Sequence, residues 1–143
     1  PAVADPGSAV VRAAHAMGAT VVPLVGPVSL LLALAASGLN GQSFAFVGYL
    51  PQEPTARAAR IRELEALSRK LGQTQIAIET PYRNDALLAA LVQHLAPTTQ
   101  LAVACGLTLP GARCESHKVA AWRSAQTPPL GGRLPAVFSW LAA

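Results

Sequence analysis

At 143 residues the chain is the size of one ordinary domain and long enough to bury a core. Apolar residues make up 52% of it and charged residues only 13%, a composition that excludes a disordered or solvating segment. Eleven Lys and Arg against seven Asp and Glu give a net charge of +4, which reflects few acids more than a basic patch. Such a balance permits a weak attraction to nucleic acid without demanding one. It also leaves apolar surface to be covered by another domain or subunit.

Asp5-Pro6-Gly7-Ser8 is a turn, and Asp5 or Ser8 is placed to cap the helix that follows. Ala9, Val10, Ala13, Ala14 and Met17 recur at helical spacing, with Gly18 as the stop. Thr20-Val-Val-Pro-Leu is short and β-branched and predicts a strand. Gly26-Pro27 then turns into a helix, with Pro27 expected at its first position and Gly38 just past its end. The run from Arg12 to Glu53 holds no charged residue between its ends, so it invites a membrane test. A spanning helix needs ~20 uninterrupted apolar residues. Here Pro23, Gly26 and Pro27 break the run, which predicts a buried helix and no membrane span.

Ser43 to Tyr49 alternates small and large residues as a strand does, and Pro51 to Pro54 is a loop. Thr55 to Leu71 is a charged amphipathic helix with an apolar stripe of Ile61, Leu64, Leu67 and Leu71. Thr74 to Glu79 predicts a strand ending on a carboxylate, Asn84 to Leu95 a helix, and Gln100 to Cys105 another strand. Arg113 to Ala120 reads as an edge strand and Leu134 to Leu141 as the last one, with a loop at Thr127–Gly132. Strands alternating with helices predict an α/β fold, a layered αβα domain on a mixed sheet of about five strands whose final members run antiparallel. Cys105 and Cys114 are too few for a disulfide framework and fit no zinc spacing, so free thiols in a reducing cytoplasm are expected.

No phosphate-binding glycine loop, HExxH or nucleophile signature is present, and none of His15, His94 and His117 stands in a ligand or base pattern. The informative features are turns at strand ends, where open α/β sheets bind ligands. Asp5-Pro6-Gly7 presents backbone groups, to a ligand or simply to a helix cap. Gly26-Pro27-Val28-Ser29 sets N–H groups and a hydroxyl at a helix start, for a polar ligand atom or for local capping. Glu79-Thr80-Pro81-Tyr82-Arg83 converges a carboxylate, a hydroxyl, a phenol and a guanidinium. Arg83 there either binds phosphate or carboxylate or pairs with Glu79. Arg57 and Arg60 serve phosphate binding or a solvated helix face.

In their order along the chain these turns resemble the tetrapyrrole (corrin/porphyrin) methylase family. The residues that carry the resemblance are Ala4-Asp5-Pro6-Gly7, Val22-Pro23-Leu24-Val25-Gly26-Pro27-Val28-Ser29, Phe44 to Pro51, and Ile78-Glu79-Thr80-Pro81-Tyr82-Arg83. A weaker match is Val103-Ala104-Cys105-Gly106-Leu107-Thr108. The chain is most similar to the branch that methylates small-subunit ribosomal RNA on a ribose 2'-hydroxyl. It departs from that branch at Gln52-Glu53-Pro54, where a basic loop is typical, and at Cys105 to Leu109, where a charged turn is usual.

The resemblance implies a cytoplasmic enzyme that uses S-adenosylmethionine, held between two domains, and that forms a homodimer. It implies that residues 1–18 close a first domain and connect it to the second, residues 19–143, and that the chain alone binds cofactor weakly or not at all. Asp5, Pro6, Gly7, Gly26, Pro27, Ser29, Thr80 and Thr108 are then the expected cofactor-binding residues. Tyr82, Arg83, Arg57 and Arg60 are expected toward the substrate, ribosomal RNA or the small ribosomal subunit, with Glu79 as a candidate base and no metal. A methylase acting on a tetrapyrrole carbon, and a member that binds cofactor or a partner without catalysis, are the alternatives.

Overall fold

The computed structural model describes residues 2–125, 130 and 133–143. Along the chain these form α1 (Ser8–Ala16), α2 (Ser29–Ser37), β1 (Phe44–Tyr49), α3 (Pro54–Leu71), β2 (Thr74–Glu79), a single 3-10 turn (Pro81–Arg83), α4 (Asn84–His94), β3 (Gln100–Cys105), β4 (Arg113–Lys118), α5 (Val119–Ser124) and β5 (Ala136–Leu141). The five strands form one sheet in the order β1-β2-β5-β3-β4. β1 and β2 are parallel, and β5 inserts antiparallel between β2 and β3. The expected mixed sheet with late antiparallel strands is therefore the observed one.

Strand alternation sorts the side chains onto two faces. Ala77, Leu101, Val103, Cys105, Ala136, Phe138 and Trp140 pack under α3, α4 and α5, against Ile61, Leu64, Leu87, Leu91, Val119 and Trp122. Ile76, Ala104 and Val137 face the other way and meet Leu30, Ala33 and Leu34 of α2. The result is a three-layer αβα arrangement with the larger core on the α3–α5 side. No helix of the described residues is long and apolar enough to cross a membrane.

Several boundaries move. Residues 19–28 form no strand, although Thr20 to Leu24 has strand composition. A strand needs a neighbour for its N–H and C=O groups. Here no neighbour exists among the described residues, and Val22, Leu24 and Val25 are 69%, 90% and 106% exposed. α2 begins at Ser29, not Pro27, because the Val28 carbonyl accepts the first helical bonds, from Leu31 and Leu32. Its end is as expected, with Gly38 left-handed at φ 72.

In α3 the apolar stripe is only half inside: Ile61 and Leu64 are buried, whereas Leu67 and Leu71 are 39% and 54% exposed. Glu65 and Ser68 take the inner positions, because each accepts a distant backbone N–H. Glu65 Oε1 accepts from Ala96 at 2.7 Å and from the Thr99 hydroxyl, and Ser68 Oγ accepts from Ala142 at 3.0 Å. The edge strand β4 stops at Lys118, since the Val119 and Ala120 N–H groups turn back to Thr99 and Pro97 and start α5. β5 begins at Ala136, not Leu134, and α4 ends at His94. The loop expected at Thr127–Gly132 lies, apart from Leu130, outside the described residues.

Candidate functional site

The C-terminal ends of β1, β2 and β3 lie at one end of the sheet. In the register, Tyr49 stands beside Ile78, and Glu79, Ala136, Cys105 and Arg113 stand in a row across four strands. The turns leaving β2 and β3 are thus separated only by β5, about 10 Å by strand spacing.

β2 delivers Glu79 to the α4 side of the sheet, where its side chain is 2% exposed. Thr80 starts the 3-10 turn, and the Arg83 N–H closes it on the Thr80 carbonyl at 2.9 Å. That turn brings four donors onto one oxygen. Glu79 Oε1 accepts from Thr80 N at 2.7 Å, Thr80 Oγ1 at 3.1 Å and Arg83 Nε at 3.1 Å, and pairs with Arg83 Nη2 at 3.0 Å. The Arg83 guanidinium also lies 5.1 Å from the centre of the Tyr82 ring, a cation–π distance. Tyr82 is 73% exposed, so the pair presents a flat aromatic surface beside a cation.

Sequence adjacency alone unites Glu79, Thr80, Tyr82 and Arg83; the fold adds the β3 turn. Gly106 follows β3 with φ 62, and Thr108 holds φ 70, a left-handed backbone that a β-branched residue rarely adopts. Thr108 is exposed on this turn. Inside it, burial pushes the Cys105 thiol up, with the nearby Arg113 cation acting in the opposite sense. Arg57 and Arg60 sit in the first half of α3, which leaves the same end of the sheet. Arg60 pairs with Glu63 at 2.7 Å, and Arg57 Nε is buried with no hydrogen-bond partner among the described residues.

Asp5, Pro6, Gly7, Gly26, Pro27 and Ser29 belong to neither core cluster, and α1 buries no residue. Ser29 is exposed and makes no side-chain cap to α2. No group of three or more His, Cys, Asp or Glu among the described residues is placed to hold a metal ion.

Sequence reasoning missed Asn84, Asp85 and the Leu134–Pro135 segment. Asn84 is fully buried and donates from Nδ2 to the Leu134 carbonyl at 2.9 Å. Asp85 accepts from Leu130 N at 2.8 Å. The available signal was an Asn-Asp pair at a helix start, which also reads as ordinary capping.

No protein-family model matches the chain. Curated relatives do. It is 36% identical over 108 residues to a ribosomal RNA small subunit methyltransferase I of Vibrio cholerae, covering 76% of this chain and 36% of that protein. The protein of the same name from Mesorhizobium japonicum is 38% identical over 108 residues, covering 76% and 35%. The chain thus spans about a third of the length of these curated relatives.

Among solved structures, the methyltransferase CobJ superposes with a TM-score of 0.63 at 20% identity, over 100% of this chain and 61% of that one. A uroporphyrin-III-C-methyltransferase from Thermus thermophilus gives 0.54 at 21%, over 99% and 60%. Those structural likenesses show the fold, and the sequence relatives are alike in name, all ribosomal RNA small subunit methyltransferases I. By fold the chain is a domain of the tetrapyrrole-methylase type, and by sequence it is similar to those ribosomal RNA methyltransferases over 76% of its length.

Proposed function

We propose that the chain is part of an S-adenosylmethionine-dependent methyltransferase acting on a ribose 2'-hydroxyl of small-subunit ribosomal RNA. The observation that carries this reading is that relatives of that one name, from several bacteria, share 34–39% identity with the chain over 83 to 108 residues. S-adenosylmethionine supplies a methyl group already activated on a sulfonium, so little acid–base machinery is required and catalysis rests on alignment and desolvation.

The residues at the sheet end suit one side of such a cofactor: the Thr80 and Thr108 hydroxyls and the open β3 turn offer polar contacts beside an apolar core. Asp5, Pro6, Gly7, Gly26, Pro27 and Ser29 complete the cofactor contacts on this reading, with residues 1–18 closing a first domain. Tyr82 offers a stacking face for a base and Arg83 a cation for phosphate. Arg57 and Arg60 extend that cation line along α3. With four donors on its Oε1, Glu79 suits the role of anchor for the Thr80–Arg83 turn better than that of base. An enzyme of ribosomal subunits works in the cytoplasm.

We also infer a homodimer. α2 buries Leu30, Ala33 and Leu34 on the sheet but leaves Leu31 and Leu32 at 49% and 39% exposed, and Val28 just before it at 41%. A helix apolar on both sides calls for cover on both.

The function is tested by transfer of tritiated methyl from S-adenosylmethionine to purified small ribosomal subunits by the full-length protein. Label recovered as 2'-O-methylribose is expected. Label appearing instead on a uroporphyrin-type acceptor, or cofactor binding with no transfer to subunits, overturns the reading in favour of a tetrapyrrole methylase or a non-catalytic member.

A further inference from the structure

We propose that Asn84 is a positioning residue that couples the Thr80–Arg83 turn to the Gly106–Thr108 turn through the Leu134–Pro135 segment. The contacts form a continuous path. Arg83 and Thr80 are held on Glu79 Oε1. The next residue, Asn84, donates from Nδ2 to the Leu134 carbonyl at 2.9 Å. Pro135, directly after, accepts the Gly106 N–H at 3.0 Å. Gly106 in turn accepts the Leu109 N–H at 3.0 Å, closing the turn that holds Thr108 in its left-handed backbone.

Steric contact reinforces the same path. A Cβ on Gly106 would lie 2.8 Å from Leu134 Cδ1, so this glycine gives the segment room to lie flat against the β3 turn. Neither turn touches the other in sequence, and β5 stands between them in the sheet. Among the described residues, the segment leading into β5 is hydrogen-bonded to both, at Leu134 and at Pro135.

The choice of Asn is itself informative. Asn84 is 0% exposed, and its Oδ1 is buried with no hydrogen-bond partner among the described residues. An unpaired buried amide oxygen is unfavourable compared with a leucine of similar volume. Helix initiation does not account for it either, because Asn84 is already a helical residue and Arg83 flanks α4 without a side-chain cap. What Asn84 contributes that an apolar residue lacks is the single bond to Leu134.

The functional part of this inference rests on the sheet end being the cofactor side; the mechanical part does not. Both are tested in the full-length protein with Asn84→Asp, which replaces the amide donor by a carboxyl oxygen at nearly constant shape, and Asn84→Leu, which removes the donor and the orphan oxygen together. Amide hydrogen exchange of Gly106 and Leu109 is expected to quicken at least tenfold in both variants, while Leu95 at the far end of α4 keeps its wild-type rate. In the reverse direction, Gly106→Ala is expected to shift the side-chain amide resonances of Asn84, which keeps the test available if the Asn84 variants do not fold. Unchanged Gly106 and Leu109 exchange in folded Asn84 variants, or unshifted Asn84 resonances in Gly106→Ala, overturns the coupling.

Binding of S-adenosylhomocysteine, measured by calorimetry well below the unfolding temperature, should weaken at least tenfold in Asn84→Asp and recover in no variant that lacks the donor. Wild-type affinity in a destabilised Asn84→Asp makes the residue merely structural. Absence of binding to the wild type removes the cofactor reading and leaves the exchange result to decide the coupling.

Discussion

The Arg83 guanidinium meets Glu79 at a single oxygen, from Nε at 3.1 Å and with Nη2 at 3.0 Å, the carboxylate side chain being 2% exposed and the arginine 25%. The pair is therefore asymmetric: the anion is inside, and the cation bridges the core and the surface. Removing the cation leaves a buried charge with only the Thr80 donors. Arg83→Ala should destabilise the fold by about 2 kcal/mol in urea unfolding, below the cost of breaking a fully buried pair. Glu79→Gln/Arg83→Ala should recover part of the loss, because no charge is left unpaired. Equal stabilities for the single and double variants would remove the ion pair from the account of this turn.

Thr108 carries its strain in the backbone. At φ 70 a β-branched residue is held where asparagine sits comfortably. Thr108→Asn is expected to raise stability by about 0.5–1 kcal/mol while weakening S-adenosylhomocysteine binding, since the hydroxyl is lost. A variant that is less stable than the wild type would show that the Thr108 side chain makes a contact outweighing its backbone cost.

The inner polar face of α3 gives a second stability test. Glu65 Oε1 accepts from the Ala96 N–H and the Thr99 hydroxyl and ties α3 to the connection between α4 and β3. Glu65→Ala strands both donors in a buried site and should cost about 2–3 kcal/mol in thermal or chemical unfolding. Glu65→Gln keeps an acceptor and should cost less than half of that. If the two substitutions cost the same, charge and not hydrogen bonding dominates there.

Glu53 sets a pH dependence. Its carboxylate caps α3, and the Ala56 N–H, then the Thr55 N–H, hold its carboxyl below the usual carboxylate range. A group whose folded value is depressed contributes stability that is present above the unfolded value of 4.5 and is lost as pH falls through the folded one. The difference in unfolding temperature between wild type and Glu53→Gln should therefore be largest at neutral pH and shrink steadily below pH 4.5. A difference constant from neutral to acid pH would mean that the cap works equally well uncharged.

Self-association is open to a direct measurement. Leu31→Glu and Leu32→Glu place charges on the outward face of α2 without touching Leu30, Ala33 or Leu34. Sedimentation of the full-length protein should move from dimer toward monomer, with the circular dichroism spectrum unchanged. A dimer that persists in the double variant assigns the interface to another surface.

What the sequence determined by itself is local. β-branched runs, helical spacing and the Gly38 stop placed all five sheet strands and four of the five helices to within two residues at most of their ends, and Glu79, Thr80, Tyr82 and Arg83 were legible as one cluster because they are neighbours in the chain. The order of turns also carried the family resemblance. Tertiary structure decided whatever depends on a partner far along the chain. Thr20 to Leu24 has strand composition but no neighbouring strand among the described residues, so it forms no strand and leaves Val22 and Leu24 exposed. Glu65 and Ser68 go inside in place of Leu67 and Leu71 because Ala96, Thr99 and Ala142 supply their hydrogen bonds. Val119 bends into α5 because the Thr99 carbonyl takes its N–H. Asn84, silent in the sequence, acquires its role only when β5 is inserted between β2 and β3 and brings Leu134 to it. Propensity acts within a few residues, whereas burial and hydrogen-bond satisfaction are settled between segments that meet only in the folded chain.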